Sequence, residues 1–486
     1  MKIRFDGKIL VIGCGGVAQC FLPLLVKHLD MPPRKITVID FLDKSEILKS
    51  LLDREVVFKK DRVTKDNLNA KLAEYAGAGD IIIDLAWNID CNEILEWCHA
   101  HNVRYINTSV EEWDPYLDTQ NTSPSQRTLY CRQMELRAML KSWSKPGPSA
   151  VIDHGANPGL VSHFVKVALV DIAGKLLEDK PRDQRVKELQ AYLSAENWPK
   201  IAQTLGVKVI HISERDTQII DKPKAVNEFV NTWSIEGFYE EGIAPAELGW
   251  GTHELSLPPN AITHSYGPQN QICLAQMGMK TKVRSWVPCG EITGMVIRHG
   301  EAFSISDYLT VWDGGRPVYR PTVHYAYCPC DGAQLSLAEL EMRQFKLQEK
   351  QRILTDEINS GRDELGVLLM GHDYKSWWTG SLLNIDTARK LAPRQNATTL
   401  QVACSVLGAL FWLLRNPNEG VKNPDQLPYK EVLEIARPYL GEFVSLPSAW
   451  DPTQNRRDIE MFNNFRAHPR RLDEKLMWQF NTFLVE

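Results

Sequence analysis

Apolar residues fall into two regimes along the first 155 positions. Short runs rich in β-branched residues alternate with longer stretches whose apolar positions recur at helical spacing. Lys8 to Gly13, Lys35 to Asp40, Asp80 to Asp84, Val103 to Asn107 and Ala150 to Asp153 read as strands. Val17 to Leu29, Lys65 to Tyr75 and Cys91 to Ala100 read as the helices between them. Strands that alternate with helices build a parallel, doubly wound sheet, so this part of the chain is expected to be a Rossmann domain.

The pattern changes after Pro146-Gly147-Pro148 and Asn157-Pro158-Gly159. Proline suits the first helical turn, so a helix is expected to open at Pro158. Beyond about residue 205 the runs become strand-like: Val207 to Ile212, Ile292 to Arg298 and Pro317 to Tyr325. Leu335 to Glu357 reads as one long helix, Leu365 to Met370 as a buried strand, and Ala397 to Leu414 as an apolar helix. A chain of 486 residues exceeds what one core accommodates. The expected class is α/β: a Rossmann domain over 1–155, an α+β substrate domain over 156–330, and a helical return to the first domain over 331–486. The return ends in a polar wrapping segment with Arg456, Arg457, Arg470 and Arg471.

A net charge of −5 argues against a nucleic-acid partner, which selects an excess of Lys and Arg. No signal-peptide pattern opens the chain. No stretch reads as the roughly 20 apolar residues that cross a bilayer, so no membrane partner and a cytoplasmic location are expected. The ten cysteines are scattered. Cys328-Pro329-Cys330 is too closely spaced for a structural zinc pair, and Cys98, His99 and His101 lack a second ligand pair. Neither a disulfide framework nor a metal is expected.

The sequence KILVIGCGGVA, Lys8 to Ala18, carries Gly13, Gly15 and Ala18 in the G-x-G-x-x-G/A spacing, between a strand and a helix. Gly13 permits the tight turn, Gly15 lets the backbone approach a pyrophosphate, and Ala18 lets helix and sheet pack closely. The first helical turn, with Gly16 and Val17, offers free N–H groups and the positive end of the helix dipole to phosphates. Asp40 lies 27 residues after Gly13, where a carboxylate accepts from a ribose 2′-OH and repels a 2′-phosphate. These features favour NAD over NADP. Two later strand ends, DLAWNID and YINTS, place Asn88, Asp90, Asn107 and Thr108 as candidates to border the nicotinamide. Capping of the following helices is the alternative role for such residues.

Trp233 to Glu254 holds five glutamates, four large aromatics and no Lys or Arg. Carboxylates with aromatic faces suit an aliphatic amine, because a ring face attracts an ammonium group when water is excluded. A solvated acidic loop is the alternative. Glu214 lies upstream in HISERDTQ, and His299 follows a strand-like run where it could shuttle protons.

The segments KILVIGCGGVAQC, DHGANPGLVSHF, HISERDTQ, NTWSIEGFYEE and IRHGEAFS together resemble the bacterial homospermidine synthases, within the wider saccharopine dehydrogenase-like group. The resemblance runs along most of the chain. It implies NAD-dependent oxidation of putrescine to an imine, loss of ammonia, condensation with a second putrescine, and reduction by the same NADH; spermidine is a further possible substrate. By the same resemblance Trp233 gives a cation–π contact, Glu241 anchors the reacting region, and Glu214 holds a distal ammonium. Asn157 contacts substrate near the nicotinamide, His299 handles protons, and Glu112 and Asp90 border the site. The resemblance also implies a homodimer, since such relatives are commonly dimers built through the second domain. No distinctive lysine motif for a protein Schiff base is present. Two other readings stand beside this one: a saccharopine or carboxynorspermidine dehydrogenase-like enzyme, and a non-catalytic NAD or polyamine sensor. The first would need Arg or Lys for its substrate carboxylates; the second would need no proton-transfer group.

Overall fold

The computed structural model describes residues 2–114, 121–466 and 472–485. Its N-terminal sheet has strands β1 (Ile9–Ile12), β2 (Ile36–Asp40), β3 (Val57–Lys60), β4 (Ile81–Asp84), β5 (Arg104–Asn107) and β6 (Ala150–Val151). Their spatial order is 3-2-1-4-5-6, all parallel, and a seventh strand, Val421–Lys422, extends the sheet beyond β6. This is the doubly wound order whose chain reversal beside β1 opens a crevice for a dinucleotide. The crossover helices include α1 (Gly16–His28), α2 (Leu68–Tyr75) and α3 (Cys91–His101), followed by α4 (Leu129–Ser142). β1 is buried along its whole length, because helices cover both faces of a parallel sheet.

Helix α5 (Leu160–Asp179) leads out of this domain. It opens at Leu160 rather than at Pro158. The residue before it, Gly159, takes φ 132°, and a Cβ there would sit 1.9 Å from the Gly155 carbonyl oxygen. The turn is therefore set by glycine, not by proline at the first helical position.

The second domain is built on a ten-stranded mixed sheet. Its members are β7 (Val209–Asp216), β8 (Pro245–Gly249), β9 (Ala261–Thr263), β10 (Gln271–Met277), β11 (Lys282–Val287), β12 (Gly290–Met295), β13 (Thr322–Cys328), β14 (Arg362–His372), β15 (Lys375–Asn384) and β16 (Glu442–Ser448). The order is β9-β10-β8-β13-β7-β14-β15-β16, with the β11–β12 hairpin joined through β12 to β13. Only β7 and β13 pair in parallel. Between strands lie α6 (Ile235–Ile243) and α7 (Gly300–Tyr308).

Three expectations are corrected here. The stretch Leu335 to Glu357 is not one helix: a helix spans Asp331–Met342, left-handed Gln344 and Phe345 end it, and Lys350–Ile353 is a strand paired with Glu228–Asn231. The region 317–325 splits into Arg316–Tyr319 and β13, separated at Pro321, which has no N–H for a ladder. Residues 331–486 are not mainly a helical return, since β14, β15 and β16 complete the second sheet. The return comprises α8 (Ala397–Arg415), which packs on α1, Val421–Lys422, and Tyr439, whose hydroxyl meets Lys27 Nζ and His28 Nε2 on α1. By length and composition α8 also corrects the expectation that no stretch could span a bilayer; here it is a core helix, buried along most of its length.

One face of the second sheet, carrying Ile212, Tyr325, Tyr327 and Leu365, joins a core shared with α5, α8 and the Rossmann helices. The opposite face is sealed by Trp450, Phe480 and Phe483. The C-terminal segment is thus partly a core element, and Arg456 is buried against the Pro452 and Thr482 carbonyls. Arg470 and Arg471 lie outside the described residues. Phe483→Ala should destabilise the protein by about 3–5 kcal/mol, read as a lower denaturant midpoint at unchanged slope.

Candidate functional site

The cofactor edge lies at the carboxyl ends of β1, β2, β4 and β5. Gly13, at φ 86°, turns where a Cβ would meet Leu85 and Ala86 backbone atoms within 2.9 Å. Gly15 precedes the first turn of α1 with no side-chain cap, and a Cβ added there would meet nothing within 4 Å. That open space lies beside the first-turn N–H groups of Gly16 and Val17, the groups with which a helix N-terminus binds phosphate. The Asp40 carboxylate accepts from the Cys14 N–H at 2.7 Å and the Leu42 N–H at 2.8 Å, which fixes it beside the glycine turn. Phe41, directly after it, is 59% exposed and gives an apolar surface next to the ribose position. This donor set fits a dinucleotide with a free 2′-hydroxyl.

Across the crevice, β7 and β13 are in register with Tyr327 opposite Glu214 and Tyr325 opposite Ile212. Side chains two apart share a face, so both tyrosines and Glu214 stand together. The buried Glu214 carboxylate accepts from Asn157 Nδ2 at 3.0 Å and from the Tyr325 hydroxyl. The first bond ties the loop after β6 to the second domain. Burial pushes the Glu214 pKa up to about 7, opposed by the Tyr325 hydroxyl and assisted by nearby Asp216. The Tyr325 ring stacks on Tyr327 at 5.1 Å, and Trp233 Nε1 donates to the Tyr327 hydroxyl at 3.0 Å.

His299 lies on the other side of Tyr325, with ring centroids 4.4 Å apart. Its Nε2 meets Glu241 Oε2 at 2.9 Å, and its Nδ1 faces Glu301 Oε1 at 3.3 Å. Burial alone would lower the imidazole pKa; the two carboxylates outweigh it and hold it well above the ordinary value. Burial raises the Glu241 pKa, opposed chiefly by His299. One position earlier on α6, Glu240 bridges Arg132 and Arg298 and accepts from Trp87 Nε1 at 2.9 Å. Burial would raise its pKa, but the two guanidiniums prevail and lower it. Trp87 belongs to the loop after β4, so α6 is docked directly on the Rossmann edge.

The chain matches relatives along its full length. It is 40% identical to the homospermidine synthase of Blastochloris viridis and 39% identical to that of Mesorhizobium japonicum, covering 99% of this chain and 98% and 97% of theirs. The chain belongs to the homospermidine synthase family. The crystal structure of the homospermidine synthase from Legionella pneumophila in complex with NAD is 36% identical, with a TM-score of 0.86 over 100% of this chain and 99% of that one. The family model described as saccharopine dehydrogenase NADP binding domain matches residues 9–151, and the saccharopine dehydrogenase C-terminal domain matches 155–446.

In this homospermidine synthase family member, Asn157, Glu214, Glu241, His299 and, through Tyr327, Trp233 form one connected group. The acidic segment as a whole does not. The expectation that its glutamates share one amine site is corrected by three of them. Glu240 is neutralised by arginines from elsewhere in the sequence. Buried Glu247 accepts from the Leu129 N–H and from Gln271, and Glu254 accepts from Thr322 and the Phe480 N–H. Trp250 packs on Phe480 on the far face of the sheet. Asp90 caps α3 by accepting from the Glu93 N–H at 2.9 Å, and burial raises its pKa with Glu93 and Glu112 nearby. Glu112 is more exposed and lies 3.4 Å from Arg132 Nε, while neighbouring Glu111 is turned inward. Asn88 adopts φ 57°, and its Oδ1 is buried without a hydrogen-bond partner at the cofactor edge. Thr108 lies against Gly155. Asn107 is a structural tie that accepts from the Asp153 N–H and donates to the Ser109 carbonyl.

Sequence reasoning missed Tyr325, Tyr327, Glu301 and the Arg132–Glu240–Arg298 cluster. Alternation in TVHYAYC does place the two tyrosines on one face. Nothing local says that this face meets Glu214, which is 111 positions upstream of Tyr325.

Proposed function

We propose that this chain catalyses NAD-dependent formation of homospermidine from two molecules of putrescine, with release of ammonia. The observation that carries the reading is the grouping of two partly or fully buried carboxylates, Glu214 and Glu241, with Trp233 and stacked tyrosines beside the cofactor crevice. Such a lining suits an aliphatic diammonium ion. A substrate carrying carboxylates is disfavoured, because Arg132 and Arg298 are both bound to Glu240. NAD is favoured over NADP because Asp40 would repel a 2′-phosphate.

In this reading Gly13, Gly15, Gly16, Val17 and Asp40 hold the dinucleotide, with Asn88 and Thr108 at its nicotinamide end. NAD, when bound, takes a hydride from the C–H beside the reacting amine and later returns it. Glu214 and Asn157 hold one end of putrescine, and Glu241 holds the reacting region. Trp233 stabilises positive charge as the substrate imine forms and when the second amine condenses with it. His299 exchanges protons at Nε2: an ammonium must lose a proton before its carbon yields hydride, and departing ammonia must gain one. Asp90 and Glu112 lie outside this exchange and favour cation entry. Spermidine, with the same aminobutyl end, fits the same chemistry. A cytoplasmic homodimer paired through the second domain is part of this proposal, and light scattering at twice the chain mass tests the pairing.

The deciding experiment is incubation with putrescine and substoichiometric NAD, followed by product separation. Homospermidine and ammonia in equal amounts, without matching build-up of NADH, are expected. NADH formed one-for-one with amine consumed would overturn the reading. A second test uses the raised pKa of Glu214. Its carboxyl is largely protonated at pH 6 and ionised at pH 8, and only the anion pairs with an ammonium. Putrescine affinity for the NADH-loaded protein should therefore rise about tenfold between those pH values, and Glu214→Gln should flatten the dependence.

A further inference from the structure

His299 is held from both ends, and only one of its carboxylate partners opens to the site. Glu241 retains 25% of its side-chain exposure, whereas Glu301 has none. Glu301 sits in the first turn of α7, two residues after His299, which occupies the N-cap position. Neither Glu301 oxygen has a hydrogen-bond partner of standard geometry, and its charged neighbour is His299 Nδ1 at 3.3 Å. A carboxyl group buried in that manner carries a desolvation cost, offset by the first turn of α7 and, among the described residues, by the imidazole as its ion-pair partner.

We propose that Glu301 is a positioning residue for His299: it keeps the proton on Nδ1 and so leaves Nε2 as the nitrogen that exchanges protons with Glu241 and the reacting amine. A carboxylate behind a histidine fixes its tautomer and orientation and stabilises the imidazolium. The proton on Nδ1 stays shared with Glu301 throughout. The cycle starts from the neutral ring with its proton on Nδ1: the Nε2 proton is gained when the amine is deprotonated, giving the imidazolium that the two carboxylates stabilise, and is lost when ammonia departs, which restores the neutral ring. The other charged or titratable groups facing the imidazole come from separate elements. They are Glu241 on α6, Glu214 on β7, Tyr325 on β13, and Asp153 after β6, whose own pKa is pushed up to about 7 by burial and then by Glu301. Arg298 is engaged with Glu240. Among the carboxylates, Glu301 is the one that reaches Nδ1.

This proposal rests on the proton-transfer role given to His299 above, and its test separates the two. The full chain is labelled with ¹⁵N-histidine, and the His299 signals are assigned by their loss in His299→Gln. In the wild type the ring should stay protonated above the ordinary histidine range, with a Nδ1–H tautomer when neutral. In Glu301→Gln the midpoint should fall by about one pH unit or more. An unchanged midpoint overturns the proposal whether or not the protein turns over putrescine. Turnover supplies the second arm. Glu301→Gln should lower kcat with little change in KM and move the acid limb of the pH profile downward. The double variant Glu301→Gln/His299→Gln should be no slower than His299→Gln alone, because a residue that acts only through His299 has nothing further to lose. Additive losses would overturn the proposal. A shifted midpoint in a protein with no putrescine turnover would instead overturn the proposed reaction and leave the pairing standing.

Discussion

Replacing Glu241 with glutamine is expected to lower kcat/KM for putrescine by a factor on the order of 10² while leaving NAD affinity unchanged. Glutamine keeps the size and one acceptor but removes the charge. Its loss leaves the His299 imidazolium facing Glu301 alone and removes the anion that meets the reacting ammonium. Truncating one member of a buried, hydrogen-bonded charge pair typically costs about 2–5 kcal/mol, and Glu241 is held less deeply than that limit because a quarter of its side chain reaches solvent. The lower half of the range corresponds to the stated loss. Steady-state kinetics with putrescine, together with NADH titration of the free protein, make the check. Unchanged amine kinetics would remove Glu241 from the site. The neighbouring Glu240→Gln change should behave differently. It leaves Arg132 and Arg298 without their shared anion, so its main effect should be on thermal stability.

Trp233→Ala is expected to reduce turnover by about 10–100-fold and to leave NAD binding intact. A desolvated cation over an indole face gains about 2 kcal/mol or more, and that gain is greatest when the imine carries its charge. Truncation also frees the Tyr327 hydroxyl, which accepts from Trp233 Nε1, and loosens its stack on Tyr325. Trp233→Phe separates the two effects. It retains a ring face but not the N–H, so it should recover most of the turnover if the face matters. Activity and NAD affinity lost in equal measure in Trp233→Ala would argue against a substrate-side role.

The acidic segment shows how sequence can name a feature and misjudge its parts. Five glutamates without an internal base read as a site for an aliphatic amine, with a solvated acidic loop as the alternative. In the folded chain, adjacent Glu240 and Glu241 face different partners, because successive helix positions point about 100° apart. Glu240 turns to two arginines drawn from α4 and from the residue before His299, whereas Glu241 turns to His299. Charge balance in a fold is settled between segments, and a count within 22 residues does not see it.

Local periodicity and backbone stereochemistry by themselves determined the nucleotide edge. The strand–glycine–helix pattern at Lys8 to Ala18, the small residue at Ala18 and the acid at Asp40 act through neighbours in sequence, so their meaning survives without a fold. Resemblance in five short segments named the family and picked out Asn157, Glu214, Trp233, Glu241 and His299. Tertiary structure alone decided that β13 lies parallel to β7, which sets Tyr325 and Tyr327 beside Glu214. It decided that Lys350–Ile353 is a strand and that the C-terminal aromatics seal a sheet. It also decided that Glu301 stands behind His299. Each of these is a pairing across many residues, and hydrogen-bond register and burial choose such partners only when the chain has closed on itself.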